Sequence, residues 1–343
     1  MAKTAFVLGG TGFVGRHVVR RLAECGWDVT VASRGETPMP EEIGALDHVA
    51  VDRADGTALK RVLGGGVDVL VDVIPYERRD AEQVLALRDL IGSVVGISSA
   101  SVYADDEGRT LEEVRTLGES LRLPVPIKEK QRTAVPGDDN YSTKKAAIEK
   151  VLTDQDEVAA TVIRPCAIYG PGDPLCREWF FVKRALDRRP HVLLAHEGKS
   201  VFHTTSVHNV AEMVRLAAER PGKRVLNCGD PDPPDVLRIS RTIAEVMGHD
   251  WTEILVPPEQ SDQSFVRNPW AAPAPFVVDM RTAAAELDYE PVMTYDDAIG
   301  KTVSWIVGAV SSRDWKEALP RAADYLAERF DYGAEDAFVR GLS

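Results

Sequence analysis

Near its start the chain reads Thr-Ala-Phe-Val-Leu-Gly-Gly-Thr-Gly-Phe-Val-Gly-Arg-His-Val-Val-Arg-Arg-Leu over residues 4–22, and no other stretch limits the possible folds as much. Residues 5–8 are a short apolar run suited to a buried strand. Gly9, Gly12 and Gly15 follow at three-residue spacing, and an amphipathic segment opens at Phe13 with Val14, Val18, Val19 and Leu22 as its apolar side. A strand, a glycine turn and a helix start, in that order, form the arrangement that holds a dinucleotide pyrophosphate. Glycine permits the tight turn and a close backbone approach, while the N–H groups of the helix start face the anion. Thr11, Phe13 and Val14 share that turn and first helical turn, so they join the three glycines as candidate cofactor-binding residues.

The 343 residues suffice for one large α/β domain or a core domain with a smaller lobe. A formal charge of −13 disfavours extended nucleic-acid contact, which needs a basic surface. Cys25, Cys166, Cys176 and Cys228 have no paired or metal-like spacing and read as reduced thiols. The first strand begins almost at residue 1, which argues against a signal peptide, and no apolar run is long enough to span a membrane. The expectation is a cytoplasmic protein acting on a small molecule, with neither a nucleic-acid nor a membrane partner.

Strand and helix alternate through the first half. Strands are expected at residues 28–33, 48–51, 67–74, 93–98 and 159–163, with helices between most of them, including residues 80–90 and 141–152. Such alternation predicts a doubly wound parallel sheet of Rossmann type with ligands at the carboxyl ends of its strands. Residues 104–139, charged and broken by Pro124, Pro126 and Pro136, read equally as a surface excursion or as a lid over the site. The division expected is a cofactor-binding core over 1–170, and a smaller substrate-binding lobe with C-terminal helices over 171–343, some later segments returning to the core.

The second strand ends in Ser33-Arg34-Gly35. An acidic residue there would select NAD by accepting from the adenosine ribose 2′-hydroxyl. Arginine suits the 2′-phosphate of NADP, and Ser33 can donate to it, so NADP is favoured over NAD. Asp52, after the third strand, can accept from the adenine amino group or simply close a turn. Tyr141 and Lys145 are four apart and share one helix face. A phenol is a poor base at neutral pH, and a neighbouring ammonium makes it a useful proton donor and acceptor beside a carbonyl. A serine after the fifth strand could hydrogen-bond the same substrate oxygen.

Together these residues resemble the short-chain dehydrogenase/reductase superfamily in its extended, epimerase/dehydratase-like branch. The resemblance rests on Gly9-Gly-Thr-Gly-Phe-Val-Gly15, Ile97-Ser-Ser-Ala-Ser-Val-Tyr103, Tyr141-Ser-Thr-Lys-Lys145 and Ile163-Arg-Pro-Cys-Ala-Ile-Tyr-Gly-Pro-Gly-Asp173. Val207-His-Asn-Val-Ala211, Asn227-Cys-Gly229 and Glu286-Leu-Asp-Tyr-Glu-Pro291 extend it over about the first 300 residues. The Ser-Arg-Gly and Val-Asp-Arg-Ala-Asp segments look most like a divergent subgroup that includes plastid stem-loop-binding proteins. The resemblance implies Tyr141 as acid/base, Lys145 on the nicotinamide ribose, and Ser99 orienting the substrate oxygen with Ser101 beside it. It also implies backbone from Pro165 to Ile168 at the nicotinamide carboxamide. Relatives often pair as homodimers through two-helix faces, but no interface pattern is readable in this chain.

Departures from the family narrow the reaction. Dehydratases of the branch carry an Asp-Glu pair where this chain has Ala100 and Ser101, so dehydration is disfavoured. The arginine that usually grips a sugar diphosphate is replaced by Phe202, leaving His203 as the neighbouring cation-capable group, with Arg184, Arg188 or Arg189 as substitutes. Asn209 stands where an aspartate is usual and reads as a helix cap. The histidines have no metal-like spacing, so no metal site is expected. Trp179, Phe180 and Phe181 suit core packing, and Trp270, in a proline-rich stretch, suits a substrate flap. The reading is an NADP(H)-dependent oxidoreductase acting on a small polar metabolite. An NAD(P)-dependent epimerase is the rival, and a non-catalytic dinucleotide sensor or RNA-binding relative a more distant one.

Overall fold

The computed structural model describes residues 2–117 and 119–342. The chain divides into two compact units: Met1–Cys166 with Val207–Gly229 and Val278–Val292, and Ala167–Ser206 with Asp230–Val277 and Met293–Ser343.

The first unit is built on β1 (Thr4–Leu8), β2 (Asp28–Ser33), β3 (Asp47–Ala50), β4 (Val69–Asp72), β5 (Ser93–Ile97), β6 (Ala159–Pro165) and a further strand, Arg224–Cys228. They form one seven-stranded sheet in the order Arg224–Cys228, β6, β5, β4, β1, β2, β3. Every pairing in it is parallel. The helices of this unit include α1 (Phe13–Glu24), α2 (Gly56–Leu63), α3 (Arg78–Leu85), α4 (Leu111–Thr116) and α5 (Tyr141–Thr153). Alternation along β1 sends Phe6 and Leu8 into a core shared with Leu59 of α2, Val84 of α3 and Ile148 of α5. On α1, Gly15, Val18, Val19 and Leu22 are buried and Val14 only partly. That helix packs against the helix Val207–Glu219, where Arg21 pairs with Glu212 at 2.6 Å. This architecture is the Rossmann-type α/β fold that the alternation predicts.

Among the described residues, 104–139 contain one short helix, α4, and belong to the first unit. Ala104 N–H donates to Arg132 O at 2.9 Å and Ala134 N–H to Val102 O at 2.7 Å. Ile127 is fully buried, and its carbonyl accepts from Asn227 Nδ2 at 3.0 Å.

Two short parallel pairs, His191–Leu194 with Thr252–Leu255 and Ala167–Tyr169 with Thr204–Ser206, belong to the second unit. Its core holds Trp179, Phe180 and Phe181, as their apolar clustering predicts. Trp270 corrects an expectation: it is 1% exposed and stacks on Phe181 with 6.1 Å between ring centroids, so it is a core residue and not a flap. Arg184 is likewise buried, paired with Glu335 and donating to Phe180 O at 2.8 Å, so it cannot grip a diphosphate. Arg189 is engaged by Asp336. No helix among the described residues is long and apolar enough to cross a membrane.

Candidate active site

A cleft of about 710 Å³ opens at the carboxyl ends of β1 to β4, where parallel sheets collect ligands. Leu8, Gly9, Thr11 and Gly12 line it from the glycine turn, Ser33, Arg34 and Glu36 from the end of β2, and Asp52 and Arg53 from the end of β3. Ile74, Tyr76, Glu77 and Asp80 close it from the segment after β4. Gly9 has φ +79°, which suits glycine, and a Cβ on it would stand 2.8 Å from the Ile74 side chain. At Gly15 a Cβ would lie 2.1 Å from Gly9 O and 2.7 Å from Gly10 Cα, so only glycine lets α1 start this close to the turn. Gly12 caps α1 without a side-chain hydrogen bond, and the first turn carries no acidic residue. This electropositive start, beside a cleft of nucleotide size, fits a dinucleotide pyrophosphate.

Ser33 Oγ lies 2.8 Å from His48 Nε2 and accepts from Gly35 N–H at 3.3 Å. Arg34 is two-thirds exposed and pairs with Glu36 at 2.9 Å, a contact too solvated to hold it firmly. Asp52 Oδ1 accepts from Ala54 N–H at 2.9 Å, closing a turn on the cleft wall. Phe13 and Val14 sit partly buried in the first turn of α1 and do not line the cleft.

Tyr141 and Lys145 form a second group in the same unit, and Ser99 follows the strand whose Ile97 carbonyl Lys145 meets. Asn140 starts α5 with a capping box: its side chain accepts from Thr143 N–H at 2.9 Å, and Thr143 Oγ1 accepts from Asn140 N–H at 3.0 Å. Tyr141 is therefore the first helical residue, 45% exposed, while Lys145, one turn on, is 4% exposed. The Lys145 ammonium lies 5.7 Å from the ring centroids of both Tyr141 and Tyr76. It donates to Pro75 O at 2.7 Å and to Ile97 O at 3.0 Å. Burial pulls its pKa down to about 8, against the opposing pull of Asp72, Glu149 and Asp80. Tyr76, which lines the cleft, is the residue that links the two groups.

β5 is buried along its whole length and is followed by three serines with different surroundings. Ser98 is buried and donates to Glu149 at 2.5 Å, while Glu149 accepts two bonds from Arg164, at 2.9 and 2.6 Å. Ser99 Oγ accepts from Ser101 N–H at 3.2 Å, leaving its own hydrogen to donate. Ser101 Oγ is shielded from solvent and has no hydrogen-bond partner among the described residues. Ala100 is buried.

Pro165 ends β6 in the first unit, whereas Ile168 belongs to the second. His203 corrects another expectation. It is 1% exposed, its Nε2 is 2.8 Å from Asp230 O, and burial pushes its pKa down to about 4, so it is a neutral donor and no cation. Asn209 is not a cap either: it lies inside the helix Val207–Glu219, and its Oδ1 accepts from Val292 N–H at 2.8 Å. Sequence reasoning missed the linked side chains of Arg53, Asp72 and Asp80, two of which line the cleft. Their one local signal is an aspartate closing the apolar strand Val-Leu-Val-Asp of β4.

The family model of the NAD dependent epimerase/dehydratase family matches residues 5–229. The chain belongs to that family. It is thus an extended short-chain dehydrogenase/reductase, an NAD(P)-dependent oxidoreductase. The uncharacterized protein YbjS of Escherichia coli is 24% identical over 347 residues, covering 88% of this chain and 96% of YbjS. Ceramide reductase of Caulobacter vibrioides is 30% identical over 169 residues, or 49% of this chain, and the chain matches only 47% of that protein's length. The fold is that of UDP-glucose 4-epimerase from Thermotoga maritima, solved with UDP-glucose (TM-score 0.66, 21% identity, 89% of this chain and 99% of the epimerase).

Proposed function

We propose that the chain is an NADP(H)-dependent oxidoreductase that interconverts a carbonyl and an alcohol on a small polar metabolite. The observation that carries this reading is the Tyr141–Lys145 pair: an exposed phenol at the first position of α5 beside a buried, hydrogen-bonded ammonium. Tyr141 moves the proton at the substrate oxygen, and the Lys145 charge favours the phenolate. Ser99, whose oxygen already accepts from Ser101 N–H, donates to that same oxygen. Gly9, Thr11 and Gly12 would hold the pyrophosphate, with Phe13, Val14 and Gly15 setting the start of α1 behind them, Ser33 and Arg34 would hold the 2′-phosphate, and Asp52 the adenine amino group. Lys145 would bind the nicotinamide ribose and the backbone at Pro165 the carboxamide. When bound, the nicotinamide supplies the two-electron redox chemistry.

Ala100 and Ser101, where a dehydratase needs acids, support reduction over dehydration, and one curated relative is itself a reductase. The test is NADPH consumption by the purified chain against a panel of polar aldehydes and ketones, with Tyr141→Phe beside it. Tyr141→Phe should lower kcat by about 10²-fold or more, since it removes the proton donor. Turnover of a sugar substrate with no net change in NADPH would refute the reductase reading in favour of an epimerase.

A further inference from the structure

Arg53 lines the cleft, and an arginine facing a nucleotide would ordinarily be taken for a phosphate ligand. Its surroundings point elsewhere. Its side chain is 15% exposed, and its two Nη atoms make four hydrogen bonds within the protein. Nη1 donates to Asp72 Oδ1 at 2.9 Å and to Ile74 O at 3.2 Å. Nη2 donates to Asp72 Oδ2 at 2.8 Å and to Asp80 O at 3.2 Å, while Nε lies 3.2 Å from Asp80 Oδ1. The four Nη hydrogens thus have four acceptors, and none is left for a phosphate.

The two carboxylates that Arg53 holds are themselves fastened to the turn after β4. Asp72 Oδ1 accepts from Ile74 N–H at 3.2 Å, and Asp80 Oδ2 accepts from Tyr76 N–H at 2.7 Å and Glu77 N–H at 3.0 Å. Pro75, in the middle of that turn, presents the carbonyl that takes the Lys145 ammonium. We propose that Arg53 is a positioning residue: by clamping Asp72 and Asp80 it fixes the turn whose Pro75 carbonyl holds Lys145 beside Tyr141. The proposal rests on the reading of Lys145 as the active-site cation. Two cations and two carboxylates also balance in charge in this buried group, which favours its persistence away from water. Glu149 faces Lys145 from its own helix, and the rings of Tyr76 and Tyr141 flank it.

The test follows Lys145 itself, in the full chain without cofactor or substrate, by NMR titration of ¹³C-labelled lysine, with Lys145→Arg to assign the signal. Arg53→Gln leaves Asp72 and Asp80 facing one cation, so the Lys145 midpoint should rise by about one pH unit. Asp80→Asn removes a carboxylate and should lower it. Opposite shifts in the two variants exclude general loosening. Arg53→Lys, which keeps the charge but cannot make the four Nη bonds, separates positioning from charge alone. A Lys145 midpoint that moves in Arg53→Lys as well supports the proposal, and one that moves only in Arg53→Gln overturns it. NADPH binding is measured alongside as a function of salt. If Arg53→Gln leaves the Lys145 midpoint unmoved but flattens the salt dependence of NADPH affinity, Arg53 is a phosphate ligand and the proposal is overturned. Unmoved midpoints in both variants overturn it as well, and Asp80→Asn alone decides should Arg53→Gln not fold. The midpoints are read without any reaction, so a chain that reduces no carbonyl yet shows both shifts refutes the proposed activity alone.

Discussion

Glu178 offers a sharp test of the energetics of the second unit. It stands at the N-cap of the helix Trp179–Leu186, is fully buried, and neither carboxylate oxygen has a hydrogen-bond partner among the described residues. Burial, and after it the carboxylate of Asp173, push its pKa up to about 8 from the usual 4.5. Asp173 is raised as well, chiefly by burial, and its Oδ2 accepts no hydrogen bond, its ion pair with Arg177 being loose at 3.9 Å. The folded chain therefore keeps a proton on Glu178 that the unfolded chain sheds above pH 4.5. Where the unfolded state binds fewer protons, stability falls as pH rises. The contribution is complete below pH 4.5, declines through neutral pH, and is exhausted above about pH 8. At about 1.4 kcal/mol per pH unit, the loss between pH 5 and pH 8 is on the order of 3 kcal/mol.

Glu178→Gln keeps the volume and removes the titration. The amide brings one more donor hydrogen than a protonated carboxyl, and an unsatisfied buried donor costs about 1–3 kcal/mol. The variant should therefore be less stable than the parent at pH 5 and at least as stable at pH 8. The assay is urea unfolding followed by tryptophan fluorescence, which reports mainly on this unit, since it holds Trp179, Trp251, Trp270, Trp305 and Trp315 and the other unit only Trp27. The measured quantity is the stability gap between variant and parent at each pH. A change in that gap of about 3 kcal/mol in favour of the variant is expected. A gap constant to within about 0.5 kcal/mol from pH 5 to pH 8 would show that Glu178 titrates as a hydrated carboxylate, and would refute the reasoning.

Two further outcomes follow from packing. Gly15→Ala drives a Cβ to 2.1 Å from Gly9 O, whereas at Gly12 the same atom would stand 3.3 Å from that oxygen. Backbone must move in the first case, so affinity for the nicotinamide dinucleotide by calorimetry should fall by about tenfold or more for Gly15→Ala and much less for Gly12→Ala; equal affinities would count against the close turn-to-helix contact. Glu335→Gln weakens the buried partner of Arg184, whose guanidinium also stacks 3.8 Å from the Phe180 ring centroid. Leaving that charge poorly compensated should cost about 3 kcal/mol in urea unfolding, and a loss under about 1 kcal/mol would mean that Arg184 finds compensation elsewhere.

The parts of this site that could be read from the sequence are those whose geometry is local. Three-residue glycine spacing places a turn against a helix start, and four-residue spacing puts Tyr141 and Lys145 on one face, whatever surrounds them. Readings that depended on solvent were less secure. His203 carries charge only when hydrated, and burial against Asp230 O removes it. Trp270, flanked by prolines, looks like surface until its neighbours show it stacked on Phe181. The Arg53 group is beyond local reading for another reason: its members are 19 and 27 residues apart along the chain, and the Pro75 carbonyl lies 70 from Lys145. Parallel strand topology brings them together, because β3, β4 and β5 run in the same direction and so place Arg53, Asp72 and Pro75, and the Ile97 carbonyl that meets Lys145, at their carboxyl ends on one side of the sheet. The same strand ends that open the cleft thus also assemble a buried charge group in its wall. A motif can place the phenol and the ammonium side by side, but the proton affinity of the ammonium depends also on its burial and on carboxylates such as Asp72 and Asp80 that only the fold brings near.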